Sequence, residues 1–425
     1  MLVVSHDFPP VRSPQAIRAA AFVRQLARVA ARVDVVSRSD IEVYDGPPQP
    51  PNVHLHPCSP GWFEATLDRR AALKAARQGA GGDEAAPLRG PTALNWKGRL
   101  VTFLRRVADL LRFPDGRAAW VAPARRELRR ICREHRPEVA LVMHEPAACL
   151  LVAKELSRMG VPWLADLADP VLAPYTPRHW RRRALRLEAR TIANAAAISV
   201  TNAATAELLA ARHGIDAASV TILPQGFDER RPARPRRGGD ALELVYTGRF
   251  YPFREPTPLL EAVAATPGVR LTIAGPELPK VAQAAAARHP QAIVLAGELR
   301  HEAALAMQAG ADVLVSIGNA NTTQSPGKLQ EYFGARHPIL HIYGCESDPA
   351  IALLGSTGRG WSCPADAKAI AASLQRLVAL KARGGLGAAF NLDDEAVAAF
   401  RWDRIADQLV ATLAGLARPP AAPAG

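Results

Sequence analysis

Residues 325–331 read Ser-Pro-Gly-Lys-Leu-Gln-Glu, a run whose residue types could hold an anion. Ser325 suits a helix N-cap and Pro326 the first helical position, while Gly327 lets a ligand approach the backbone. A helix starting there presents N–H groups with no partner inside the helix, and those donors together with the helix dipole favour phosphate. Lys328 adds a full positive charge, and Glu331, about one turn further on, is placed to accept hydrogen bonds from a ribose diol. The same residues also fit an ordinary well-capped helix with a surface Lys–Glu pair, and on this stretch alone both readings stand.

A second group of polar residues closes apolar strand patterns in the first half of the chain. His6 and Asp7 follow residues 2–5, His144 and Glu145 follow residues 139–143, and Asp166 and Asp169 follow residues 162–165. In an open α/β sheet ligands bind outside the carboxyl ends of the strands. These six are therefore the polar residues best placed to line a site, although any one alone is more commonly a structural cap. Within the set, His144, Asp166 and Asp169 are the candidate catalytic residues.

The elements that must position these groups repeat a single pattern. Strands at 2–5 and 33–37 flank a helix at 15–31, and strands and helices continue to alternate up to residue 228. Residues 229–240, ERRPARPRRGGD, read as an interdomain linker by their prolines, glycines and arginines. The alternation then resumes, with strands at 242–247, 269–274, 292–296, 313–317 and 338–342, most of them closed by a glycine. This predicts an α/β protein of two Rossmann-like, doubly wound domains. The first spans 1–228 with an irregular and basic insertion at about 45–136; the second spans 241–395; residues 396–425 form a helix returning to the first domain.

Composition narrows the partners. The 425 residues are 48% apolar with a formal charge of +13, a balance that favours anionic partners. Aromatic–basic strand pairs, zinc spacings and a recognition helix are all missing from the sequence, so nucleic acid is not an expected partner. No apolar run is long enough to span a bilayer, and residues 1–5 read as a first strand rather than a signal peptide. The five cysteines lack any CxxC pair, which fits a reducing cytoplasm and predicts no metal site. Residues 97–136 hold twelve Lys/Arg against four Asp/Glu, with apolar residues at helical spacing among those at 100–111. That pattern fits either a membrane-surface helix or a core helix with a basic outer face.

Five stretches together resemble the retaining GT-B glycosyltransferases, the group that includes glycogen and sucrose synthases. They are LVVSHDFPPVRSPQAIRAAAFVRQL at the start, ADLADP, ILPQGFD, LVYTGRF and SPGKLQEYFGARHPIL. The resemblance implies two domains facing a cleft and transfer of a sugar from a nucleotide-sugar donor with retention, needing neither metal nor cofactor. The acceptor would be a polysaccharide or a lipid-linked carbohydrate, met in the cytoplasm at the inner face of an anionic membrane. By position, Gly248, Arg249 and Lys328 would hold the diphosphate, Ser325 and Gly327 would bring backbone donors to it, and Glu331 would bind the ribose. The first loop, with His6, Ser13 and Gln15, would lie under the diphosphate and sugar. Three positions depart from the family pattern. Thr323 stands where a sugar-contacting glutamate is usual, Ser13–Pro14 replaces a Gly-Gly pair, and Arg254 is the nearest stand-in for a lysine after Gly-Arg. These departures motivate the alternative of a non-catalytic GT-B module binding a nucleotide or a protein.

Overall fold

The computed structural model describes residues 1–9, 11, 13–38, 49–59, 113–228, 239–250, 254–318 and 327–417. Much of the expected insertion, including residues 100–111, and most of the linker lie outside them. The chain divides into two compact units, Met1–Pro224 with Ile405–Gly425, and Gln225–Arg404.

In the first unit the chain runs β1 (Leu2–Val4), α1 (Pro14–Val29), β2 (Val33–Arg38), β3 (Val53–Cys58), α2 (Val121–His135), β4 (Ala140–His144), α3 (Ala148–Arg158), β5 (Trp163–Leu167), α4 (Arg181–Asn194), β6 (Ala197–Val200), α5 (Ala203–His213) and β7 (Thr221–Ile222). Its seven parallel strands lie in the order β3-β2-β1-β4-β5-β6-β7. Parallel strands covered by helices on both faces must be apolar throughout, and β1, β4 and β5 are buried along their whole lengths. The first helix begins where its cap dictates: the Ser13 hydroxyl accepts from the Ala16 N–H at 3.1 Å, and Pro14 opens the first turn.

Helix α2 lies in the described part of the basic segment, residues 113–136, whereas residues 100–111, which prompted the choice between a membrane-surface and a core helix, lie outside the described residues. Val121, Ala124, Leu128, Ile131 and Cys132 pack into the core of the first unit. Much of the charge on its outer side is neutralised by protein. Arg125 donates to the Leu151 carbonyl, Arg129 lies 3.2 Å from Glu155, and Arg130 pairs with Glu127 and Glu134.

The second unit runs β8 (Leu242–Thr247), α6 (Thr257–Ala265), β9 (Val269–Ala274), α7 (Lys280–Arg288), β10 (Ile293–Gly297), α8 (His301–Ala309), β11 (Val313–Ile317), α9 (Gly327–Phe333), β12 (Ile339–Tyr343), α10 (Pro349–Thr357), β13 (Gly360–Pro364) and α11 (Ala367–Ala382). Its six parallel strands lie in the order β10-β9-β8-β11-β12-β13. Both sheets are the doubly wound α/β arrangement that the alternation predicts. The last helix, α12 (Trp402–Ala417), opens in the second unit and from Ile405 onward groups with the first. No described helix is long and apolar enough to cross a membrane.

Candidate functional site

Strand order alone locates a crevice in each unit. A doubly wound sheet binds ligands where the direction of winding reverses, because the connections leaving neighbouring strands part there and open a gap at their carboxyl ends. In the second unit the reversal falls between β8 and β11, which pair directly. Gly248 and Arg249 follow the first of these strands and Gly318 the second. Close packing forces glycine at two points around this gap. A Cβ on Gly275 would sit 2.0 Å from the Gly248 carbonyl oxygen, and one on Gly318 would sit 2.3 Å from Oδ2 of Asp348.

The side chains at this crevice form one network. Lys328 Nζ donates to Glu331 Oε1 at 2.7 Å, and Gln308 Nε2 donates to the same oxygen at 2.6 Å. Gln308 also donates to Thr247 Oγ1 at 2.8 Å. The Tyr332 hydroxyl accepts the Thr247 N–H at 2.9 Å, so α8, α9 and the end of β8 are tied together. Burial opposes the charged form of Glu331, but Lys328, His301 and Gln308 outweigh it and hold its carboxyl below the usual carboxylate range. Arg249 is exposed and, among the described residues, its guanidinium makes no ion pair. Thr323 and Ser325 lie outside the described residues.

The first unit reverses its winding between β1 and β4, which bring His6 and Asp7 beside His144 and Glu145. His6 is buried, with Nδ1 2.7 Å from Asp7 Oδ1, its N–H donating to Cys149 Sγ, and its ring edge-on to Trp120. Ser13 caps α1, and Gln15 Nε2 donates to the His144 carbonyl at 3.1 Å, which fixes the helix start against the end of β4. His144 is 3% exposed and its Nδ1 has no hydrogen-bond partner among the described residues. Burial pushes the pKa of both His6 and His144 down, against nearby carboxylates that would raise it. Tyr175 donates toward two carboxylates at once, Glu145 at 2.8 Å and Asp169 at 3.1 Å. Protein packed around the Glu145 carboxyl raises its pKa, and the Asp115 and Asp7 charges add to the shift.

Asp166 departs from expectation. It is 0% exposed, both its oxygens accept from Arg18 at 2.8 Å, and Oδ1 also accepts from Ser199. Arg18 is equally buried and also donates to the carbonyls of Leu223 and Pro224, with its guanidinium 4.5 Å from the centroid of Phe22. A carboxylate so fully engaged holds the fold together; it offers nothing to a substrate.

Residues 82–231 match the model of Glycosyltransferase Family 4. HepE from Anabaena, solved with UDP, superposes at a TM-score of 0.62 with 13% identity, covering 97% of this chain and 99% of that one. An α,α-trehalose-phosphate synthase (UDP-forming) from Burkholderia vietnamiensis gives 0.63 with 14% identity, over 98% and 99%. WaaG, a glycosyltransferase of lipopolysaccharide biosynthesis, gives 0.59 with 13% identity, over 97% and 99%. The chain has the GT-B glycosyltransferase fold. At these identities the likeness to solved structures is one of fold, and no curated protein matches the sequence significantly.

In this GT-B chain the structure brings Gly248, Arg249, Gly327, Lys328 and Glu331 to one end of the second sheet. His6, Ser13, Gln15, His144 and Asp169 stand at the corresponding end of the first. Several members of these networks, Gln308 and Tyr175 among them, are not singled out by sequence reasoning. Gln308 ends a helix just before Gly310 and reads as a surface residue, and Tyr175 sits in an irregular stretch with no periodicity. Only the chain's return in space pairs either with its carboxylate.

Proposed function

We propose that the chain transfers a sugar from a nucleotide-sugar donor to a polysaccharide or lipid-linked acceptor, with retention at the anomeric carbon and without a metal ion. The observation that carries this reading is the Lys328–Glu331–Gln308 network at the winding reversal of the second unit, where Arg249, with no ion-pair partner among the described residues, follows β8. A nucleoside diphosphate has a dianionic end and a neutral diol end, and this network offers a partner for each. The diphosphate draws Lys328 away from Glu331, and the carboxylate, still held by Gln308, turns its freed lone pair to the ribose. Arg249 and the backbone donors near Gly327 meet the charge that grows on the departing diphosphate as the glycosidic bond loosens. UDP in the HepE structure and the UDP-forming synthase support a nucleoside diphosphate leaving group. The role of WaaG in lipopolysaccharide biosynthesis supports a lipid-linked acceptor at the membrane face of the cytoplasm.

In the first unit we assign acceptor hydroxyls to Asp169 and Glu145, and reserve His144, His6, Ser13 and Gln15 for positioning at the reacting sugar. Thr323 and Ser325 keep their roles at the donor sugar and diphosphate. Asp166 is left out of the catalytic set because Arg18 and Ser199 occupy it.

The test is release of nucleoside diphosphate from a panel of nucleotide sugars. The wild-type chain should turn over at least one donor, and Lys328→Ala should lower kcat/KM roughly 100-fold, the order lost with one transition-state donor. An α-linked product from an α-linked donor, read by NMR, supports retention, and activity that survives a chelator supports metal independence. Turnover indifferent to Lys328→Ala would overturn the site. Nucleotide binding without turnover of any donor would establish the second reading, a non-catalytic module, which the Ser13–Pro14 pair and Thr323 favour.

A further inference from the structure

Tyr175 stands in the irregular stretch between β5 and α4, and the chain on either side of it is fastened down. The Leu172 N–H donates to Glu188 Oε2 of α4 at 3.0 Å, and the Leu172 carbonyl accepts from Arg212. Thr176 Oγ1 accepts the Ala173 N–H at 2.9 Å, and Val171 and Ala173 are buried. The ring between these anchors is 52% exposed. Its outer end is fixed as well, because the hydroxyl lies 2.8 Å from Glu145 Oε1 and 3.1 Å from Asp169 Oδ2. A half-exposed aromatic ring held at both ends has already given up the freedom that binding would cost, so its face is a preformed apolar surface.

The polar groups around the ring have a definite chemistry. One hydroxyl carries one proton, so Tyr175 cannot make full hydrogen bonds to two ionised carboxylates at once. The hydroxyl of an incoming sugar supplies a second proton. The Asp115 and Asp7 charges both bear on Glu145. Asp7 is offset by His6 and Arg117, whereas Asp115 Oδ2 takes the Ala148 N–H at the start of α3, at 3.1 Å. An anionic group on the ring face would therefore meet like charge from Glu145, Asp169 and Asp115, although the chain as a whole is strongly basic.

We propose that Tyr175 is the acceptor platform of the first unit: the C–H face of an uncharged pyranose lies on its ring, and hydroxyls of the same sugar donate to Glu145 and Asp169. Uronic acids and sugar phosphates are disfavoured by charge. The proposal rests on the assignment of acceptor hydroxyls to those two carboxylates above, and adds the residue that selects the sugar and the class it selects.

The experiment is saturation-transfer proton NMR of the full chain, without donor, against the methyl glycosides of glucose, galactose and mannose, and against the uronic acid and the 6-phosphate of each. At least one neutral glycoside should bind, with transfer strongest at its ring C–H protons, and its anionic counterparts should bind roughly tenfold more weakly. Tyr175→Ala should weaken the neutral sugar roughly tenfold. Tyr175→Phe keeps the ring and should stay within about threefold of the wild type. If the alanine variant does not fold, Tyr175→Leu, which fills space without a flat face, should show the same loss. Equal losses in the alanine and phenylalanine variants would mean that only the hydroxyl counts, as a strut between carboxylates, and would overturn the platform. So would unchanged affinity in Tyr175→Ala, equal binding of the anionic counterparts, or no binding of any neutral glycoside by the wild type. Glycoside binding through Tyr175 in a chain that turns over no donor would sink the transferase reading and leave this one. Donor turnover with glycoside binding indifferent to Tyr175 would do the reverse.

Discussion

Glu331 shows how one residue depends on neighbours that the sequence keeps far away. Its own position one turn into α9 is a matter of spacing, but its ionisation depends on Lys328, three residues before it, and Gln308, twenty-three before it. The folded carboxyl titrates below its ordinary value, so its ionised form supports the fold above the unfolded value of about 4.3. That support is lost as pH falls through the folded value. Binding of UDP, measured by calorimetry, should therefore hold steady at neutral pH and drop only on strong acidification, and Glu331→Gln should abolish that drop. Gln308→Leu should weaken UDP about tenfold, the worth of a hydrogen bond to a charged group, and should narrow the preference for ribose over 2′,3′-dideoxyribose nucleotides. Unchanged affinity and unchanged sugar preference would remove Gln308 from the site. Lys328 and Glu331 were legible because a helix start has a local signature; Gln308 and Tyr175 were not, because a polar side chain that pairs across the fold carries no local mark.

At the scale of elements, helices α1 and α4 are both arginine-bearing and amphipathic, yet their arginines do opposite work. Arg18 points inward and locks α1 to β5 through Asp166, and to the end of the first unit through Leu223 and Pro224. Its removal leaves a buried carboxylate that, among the described residues, keeps a side-chain hydrogen bond from Ser199. Arg18→Met should cost about 3–5 kcal/mol of stability by denaturant unfolding, and Arg18→Met/Asp166→Leu should recover much of it. A loss under 1 kcal/mol for the single variant would mean that water reaches the pair. The sequence placed Asp166 at a strand end, where ligands bind, and its neighbour Asp169 three residues later does reach Tyr175. The difference is set by the pleat and by which helix crosses above, and alternation in sequence does not encode that crossing. The same limit separates α2 from α4. Both read as basic, but only packing places Glu155 of α3 beside Arg125 and Arg129 of α2 and leaves the arginines of α4 without a carboxylate partner among the described residues.

At the scale of the whole molecule, the chain makes two units from one repeated βα pattern and then sends its last helix back to the first. Ile405, Ala406, Leu409 and Leu413 of α12 are buried, and the helix from Ile405 onward groups with the first unit. Each large apolar side chain contributes roughly 2 kcal/mol when buried, so three together rival the whole stability of a typical domain. A chain ending at Arg404 should therefore lose the melting transition of its first unit or become insoluble, while keeping a folded second unit by proteolysis and calorimetry. An unaltered first transition would show that α12 is dispensable. The sequence by itself determined the alternation of strands and helices, hence two parallel sheets, and it determined the helix start at Gly327 and Lys328, because periodicity and caps are local properties of the chain. Tertiary structure alone decided strand order, and with it the two winding reversals that gather residues from distant segments. It also decided which charges are neutralised: Asp166 by Arg18, Glu331 by Lys328, while the arginines of α4 have no ion-pair partner among the described residues. Those outcomes depend on contacts between segments tens or hundreds of residues apart, and no spacing rule along the chain contains them.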